Sequence, residues 1–210
     1  MLEHLNSLDT KLFWFINSHH CAVCDWIMWG ASQMWSWIAV MIIVYILLLV
    51  RGDWRRWWMI LLGILLCFLL SDKISVIAFK DVVQRLRPCH ALEGVTMFRT
   101  HCGGLYGFVS SHAANAFAQA TFLGLVAYSF KHLDQQRYGK ESLFPTLMPC
   151  LLFDWAILVG YSRPYLGKHY PGDVICGAIL GIAIGAFVYF LYCKVLYWTR
   201  KKSKKDKIMV

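Results

Sequence analysis

Three stretches of this chain, Trp26 to Val50, Ala113 to Phe130 and Val174 to Cys193, carry no charged residue, and each is about long enough to cross a hydrocarbon core as a helix. With 59% hydrophobic and only 16% charged residues in 210 positions, a compact water-soluble domain is excluded. The expected fold class is all-α, a polytopic membrane helix bundle of about five to six transmembrane helices with an interfacial N-terminal helix.

Spans are expected near residues 31 to 50, 57 to 79, 112 to 130, 145 to 162 and 173 to 196. Residues 1 to 20 mix Leu2, Leu5, Leu8, Leu12, Phe13, Phe15 and Ile16 with polar positions, which suits a helix lying in the membrane interface. The organisation is thus an interfacial segment over 1 to 30, a transmembrane domain over 31 to 198 and a basic cytoplasmic tail over 199 to 210. Glu3, His4, Asp9 and Lys11 stand where a cleavable signal peptide would have a basic region and an apolar run, so none is expected. The net charge of +9 is concentrated in the tail Arg200, Lys201, Lys202, Lys204, Lys205 and Lys207, which reads as a stop-transfer flank beside anionic lipid and not as a nucleic-acid surface.

Alternating the connections across the bilayer puts Arg51, Arg55, Arg56, Lys131, Arg137, Lys140, Lys194 and the six tail residues on one side. Lys11, Lys73, Lys80, Arg85, Arg87, Arg99, Arg163 and Lys168 fall on the other. The richer side is expected to be cytoplasmic, so segments 80 to 111 and 163 to 172 both face outward.

In and beside those segments stand Lys80, Arg87, Ser110, Ser111, His112, Arg163, His169 and Asp173. Three cations at one site suit a phosphate, because the guanidinium fork matches its oxygens and an ammonium adds a point charge. Ser110 and Ser111 precede an apolar helical run, where serine caps a helix whose free amides bind anions. His169 and Asp173 are four apart, one helical face, so the carboxylate can fix the imidazole tautomer and leave a nucleophilic nitrogen. A covalent route follows: His169 attacks phosphorus, His112 protonates the leaving oxygen, the cations stabilise the equatorial oxygens, and water hydrolyses the phosphohistidine.

These residues resemble three sequence blocks in order. Lys80 to Arg87-Pro88 resembles K-x6-R-P, Ser110-Ser111-His112 resembles P-S-G-H, and Ser162-Arg163 with His169 and Asp173 resembles S-R-x5-H-x3-D of the phosphatidic acid phosphatase type 2 superfamily. The resemblance implies a phosphatase for lipid phosphates or pyrophosphates that works without a metal or other cofactor. It implies His169 as nucleophile, His112 as acid, Asp173 as orienting carboxylate, and Lys80, Arg87, Ser110, Ser111 and Arg163 as phosphate ligands. The second block departs from the pattern with Val109 for Pro and Ser111 for Gly, and a serine limits the backbone angles that a glycine would allow there. Undecaprenyl pyrophosphate in a bacterial inner membrane, met from the extracytoplasmic side, is the first substrate expectation, with phosphatidylglycerophosphate and lipid A phosphates as alternatives. A non-enzymatic lipid transporter would need polar groups along a path through the bilayer, whereas here they gather at one face.

Other features are left outside that site. Asp72, Lys73 and Asp154 lie in or near apolar spans with roles open between structure and function. Gly177, Gly181 and Gly185 form a small-residue ridge expected to pack within the chain, and Trp26, Trp29, Trp35, Trp37, Trp54, Trp57 and Trp58 read as interface belts. Cys67, Cys150, Cys176 and Cys193 are expected to be buried. Cys89 and Cys102 could form a disulfide, remain free thiols or join His90 and His101 in a zinc site, while Cys21 and Cys24 form a lone C-x2-C pair.

Overall fold

The computed structural model describes residues 2 to 51, 57 to 131 and 143 to 208. Trp54, Arg55, Arg56, Arg137 and Lys140, which entered the charge count above, lie outside the described residues, as do the side chains of Arg200, Lys202, Lys204, Lys205 and Lys207. The described residues are mainly helical, apart from the loop over 84 to 110 with its single short turn Pro88–Ala91: α1 Leu2–Asn17, α2 Ala22–Ala31, α3 Met34–Arg51, α4 Trp57–Ile74, α5 Ser111–Tyr128, α6 Phe144–Tyr165 and α7 Pro171–Ile208. Beyond Ile74, α4 passes into a π-helical turn, Ser75–Lys80, and a last α-helical turn, Asp81–Val83, which ends at Gln84 in the left-handed region. Among the described residues the only β pairing is an isolated bridge between Leu86 and Tyr106.

Helices Met34–Arg51, Trp57–Val83, Phe144–Tyr165 and Pro171–Thr199 are long and apolar enough to cross a membrane. The expected third span is α5, whose alanines, Asn115, Gln119 and Thr121 make it less apolar than the others; it is buried along nearly its whole length. A helix enclosed by other helices presents no surface to lipid, so small side chains that admit close neighbours serve it better than large apolar ones. The surrounding helices have the opposite need. Ile38, Ile42 and Ile46 of α3, Leu62, Leu65 and Leu69 of α4, and Ile175, Ile179 and Phe187 of α7 all point outward and are exposed.

The Gly177, Gly181 and Gly185 ridge of α7 lies on the backbone of α5. A Cβ at these positions would strike the carbonyl oxygens of Ser110, Ala114 and Ala118 in turn. The ridge therefore packs within the chain, as expected from the sequence. On the other sides Gly63 of α4 accommodates the Phe122 ring, and Gly124 meets Pro149 of α6. Gln119 donates from Nε2 to the Ile64 carbonyl at 2.9 Å, which satisfies a polar group that lipid could not.

Three sequence expectations change in detail. The N-terminal segment is two helices, and α1 is fastened to the bundle: Phe13 is fully buried against Tyr170, and Asn17 donates to the Tyr165 carbonyl at 2.8 Å. Cys150 is exposed on α6, whereas Cys67 is buried and Cys176 and Cys193 are half-buried. Trp37 does not join an interface belt; it is buried between Trp155 and His112, with ring centroids 5.2 and 5.8 Å away.

Candidate active site

One end of the bundle holds a cavity of about 290 Å³ whose wall includes Lys80, Arg87, Ser111, His112 and His169. These come from the π turn of α4, the loop after it, the start of α5 and the α6–α7 connection. The cavity thus gathers five of the eight residues singled out from the sequence. Ser110, Arg163 and Asp173 are not in its wall and stand behind it.

The π turn is what brings Lys80 round. Its Nζ donates to Ser111 Oγ at 2.6 Å, Ser111 Oγ lies 2.8 Å from Ser75 Oγ, and Ser75 donates to the Asp72 carbonyl at 3.0 Å. Because the single Ser75 proton goes to Asp72, Ser111 must be the donor to Ser75. The Ser111 proton therefore points away from the cavity, and this serine holds Lys80 in place. Ser110 is fully buried as the N-cap of α5, accepting from the Ala113 amide at 3.4 Å. The two serines thus have different surroundings: one caps the helix, the other lines the cavity.

His169 sits in a tight turn after α6 that passes through Gly167 at φ +73°, a left-handed conformation that favours glycine. The imidazole is 1% exposed, and Arg87 donates from its guanidinium to Nε2 at 2.9 Å. Nε2 is then an acceptor and the proton of the neutral ring is on Nδ1. Burial, reinforced by Arg87, Arg163 and Lys80, keeps the His169 imidazolium well below its ordinary range. Nδ1 stands 3.7 Å from Asp173 Oδ2, beyond direct hydrogen-bond reach. The spacing of four residues does bring the pair together, but the carboxylate is already engaged: Oδ2 accepts from the Tyr170 amide at 3.0 Å and Oδ1 from Arg85 at 2.7 Å.

Arg163 is 2% exposed and donates to Ser32 Oγ, itself part of the cavity wall. The Nε atoms of Arg87 and Arg163 are buried with no partner among the described residues. Such donors are costly unless an acceptor meets them, and the oxygens of a phosphate are suitable acceptors. Burial, with Arg163 and Arg87 adding to it, lowers the nearby Lys168 ammonium to about 8.

Sequence reasoning missed several contributors. Trp37 and Asn115 also line the wall, as does Asp72, whose role the sequence had left open, and the buried Asn115 Oδ1 has no partner among the described residues. Asn115 follows His112 by three residues, so helical spacing could have found it; Trp37 had no signal to separate it from its exposed neighbours. Arg85, in the sequence one charge among the outward-facing basic residues, binds Asp173 Oδ1 at 2.7 Å.

Cys89 and Cys102 pair as a disulfide with Cα atoms 5.8 Å apart and close the loop after Arg87; Cys21 and Cys24 pair as a second, at 5.1 Å. His90 lies beside the Cys89 and Cys102 sulfurs, but the bonded sulfurs are not thiolates, and His101 is not among the residues that converge there. The geometry therefore does not suit a four-ligand zinc site.

The profile of the PAP2 superfamily matches residues 57–197. This chain belongs to the PAP2 superfamily. It is a membrane lipid phosphatase, and hence a hydrolase. Over 199 residues it is 31% identical to a lipid A 4'-phosphatase of Bacteroides thetaiotaomicron, covering 93% of this chain and 81% of the relative. A lipid A 4'-phosphatase of Porphyromonas gingivalis is 27% identical, covering 91% and 75%. The crystal structure of Aquifex aeolicus LpxE shares the fold at a TM-score of 0.57 and 24% identity, covering 86% of this chain and 94% of that one. A transmembrane PAP2 type phosphatidylglycerolphosphate phosphatase from Bacillus subtilis superposes with a TM-score of 0.67 at 19% identity, covering 91% and 88%.

Proposed function

We propose that this PAP2 phosphatase removes a phosphate from lipid A, at the 4' position, on the extracytoplasmic side of a bacterial inner membrane. The observation that carries this reading is the likeness, across more than nine-tenths of the chain, to two lipid A 4'-phosphatases. It replaces undecaprenyl pyrophosphate as the first substrate. The cavity is compatible with it, because Trp37, Asp72 and Asn115 offer an aromatic face and hydrogen-bonding groups beside the cations, and the leaving group would be a sugar.

In the proposed reaction His169 Nε2 attacks phosphorus, forming a P–N bond as the P–O bond to the sugar breaks. His112 gives its proton to the departing sugar oxygen. Arg87, Arg163 and Lys80 share the charge of the equatorial oxygens, with the amides at the start of α5 behind them. Asp173 orients His169. A water then displaces the histidine, giving up its proton to His112, and inorganic phosphate is released.

The test is incubation of purified protein with bis-phosphorylated lipid A and, separately, undecaprenyl pyrophosphate and phosphatidylglycerophosphate, with lipid products read by mass spectrometry. Loss of the 4'-phosphate at a kcat/KM at least about tenfold above the other two supports the proposal. Preference for undecaprenyl pyrophosphate overturns it.

A further inference from the structure

Outside the cavity wall, ending on Asp173, lies a chain of ionic contacts that the reaction as written does not use. Arg85 NH1 donates to Asp173 Oδ1 at 2.7 Å, and Arg85 NH2 meets Asp9 Oδ2 at 2.8 Å and Asn6 Oδ1 at 2.8 Å. The guanidinium also lies over the Tyr170 ring, 4.0 Å from its centroid. Asp9 does more than pair with Arg85: its Oδ1 accepts from the Gly172 amide at 2.7 Å. Gly172 is also where a side chain would not fit, since a Cβ there would come within 2.8 Å of Asp9 Oδ2.

We infer that Asp9 and Arg85 are positioning residues, through which α1 holds the Asp173 carboxylate, and with it His169, in the orientation that phosphoryl transfer needs. The inference rests on the proposed role of His169 and Asp173, not on the identity of the lipid. Asp173 cannot hold itself in place. It is completely buried and 3.7 Å from the imidazole it serves, so its rotamer is decided by the groups bound to its two oxygens. One of those groups is the Tyr170 amide, fixed by the backbone; the other is Arg85, a long side chain fixed only by its own partners. Asp9 supplies that fixation from α1 and grips the first turn of α7 one residue before Asp173. The charges alternate along the chain, Asp9, Arg85, Asp173, so one guanidinium is shared between two carboxylates in a largely buried setting. The ordinary effect of burial on Arg85 is outweighed by Asp173 and Asp9, which raise its pKa and keep it a cation.

This role predicts a loss in turnover without a loss in binding. Asp9→Asn keeps the shape and removes the charge, and should lower kcat about 10-fold to 100-fold with KM within about twofold. Asp9→Glu should recover most of the rate. Arg85→Lys, which keeps the charge but not the fork, should lower kcat on its own and add little to Asp9→Asn in the double variant, since both act along one path. Inhibition by inorganic phosphate, a ground-state ligand of the cations, should be unchanged in Asp9→Asn, while inhibition by orthovanadate should weaken in step with kcat.

The substrate is whichever lipid phosphate the wild-type protein turns over fastest, so failure of the lipid A assignment leaves this test intact. A wild-type kcat in Asp9→Asn overturns the inference. So does a KM that rises as much as kcat falls, which would make these residues part of substrate binding, or a kcat deficit that Asp9→Glu does not reduce. Thermal melts of all variants in the same detergent show whether a lost rate is only lost fold.

Discussion

Nε2 of His169 accepts a hydrogen bond from the Arg87 guanidinium at 2.9 Å, so the nitrogen expected to attack phosphorus is kept free of a proton by the residue expected to bind the phosphate. When phosphate enters, the same guanidinium has oxygens to turn to, and the lone pair is released where it is needed.

His169→Ala should lower kcat about 1000-fold or more, and His112→Ala should cost less on substrates with a better leaving group. Steady-state phosphate release measures both. Rapid quenching of the His112 variant with labelled substrate should trap phosphate on His169, and full activity in His169→Ala would sink the mechanism.

The pH profile should show no loss of the nucleophile between about pH 6 and 8, because burial and then the surrounding cations hold His169 neutral well below its usual range. The sign for stability follows. Below about pH 6.5 the unfolded chain binds a proton that the folded His169 refuses, so stability falls as pH falls, measurable as a declining Tm.

Lys168 loses its charge near pH 8 in the free protein, with burial, Arg163 and Arg87 as the causes. A phosphate dianion favours the charged form, so binding should take up a proton and KM should climb above about pH 8. In Lys168→Met the part of that rise owed to this residue should vanish. An unchanged KM profile in the variant would remove Lys168 from phosphate binding.

Chelators should leave activity intact and orthovanadate should inhibit, since cations and helix amides already answer the phosphate charge and vanadate adopts the five-coordinate shape of the transition state. Strict dependence on magnesium would count against the mechanism.

Gly181→Val should destabilise the bundle by about 1–3 kcal/mol or more, because its Cβ would overlap the Ala114 carbonyl at the α5–α7 contact. A shift in Tm with no change in oligomeric state checks this. Reporter fusions should place residue 210 inside and residues 90 to 105 outside.

Charge-free runs alone were enough to announce a helical membrane protein, because the bilayer demands length and apolarity that no other environment requires together. Local spacing was enough to single out His169 with Asp173, which the turn before α7 and the first turn of α7 bring to 3.7 Å of each other. It did not reveal what Asp173 binds. The sequence also could not separate Ser110 from Ser111, because capping and cavity lining differ only in which way the following helix turns. Nor could it show that Trp37, Asp72, Asn115 and Arg85 meet at or beside the site: these come from four different segments, and their meeting depends on α5 packing against α4, α6 and α7 and on one π turn that rotates Lys80 into place. Asp9 is the clearest case. It lies 164 positions from Asp173, in a helix that by sequence alone reads as a surface piece, and only the folding of α1 onto the head of α7 makes it a neighbour of the chemistry.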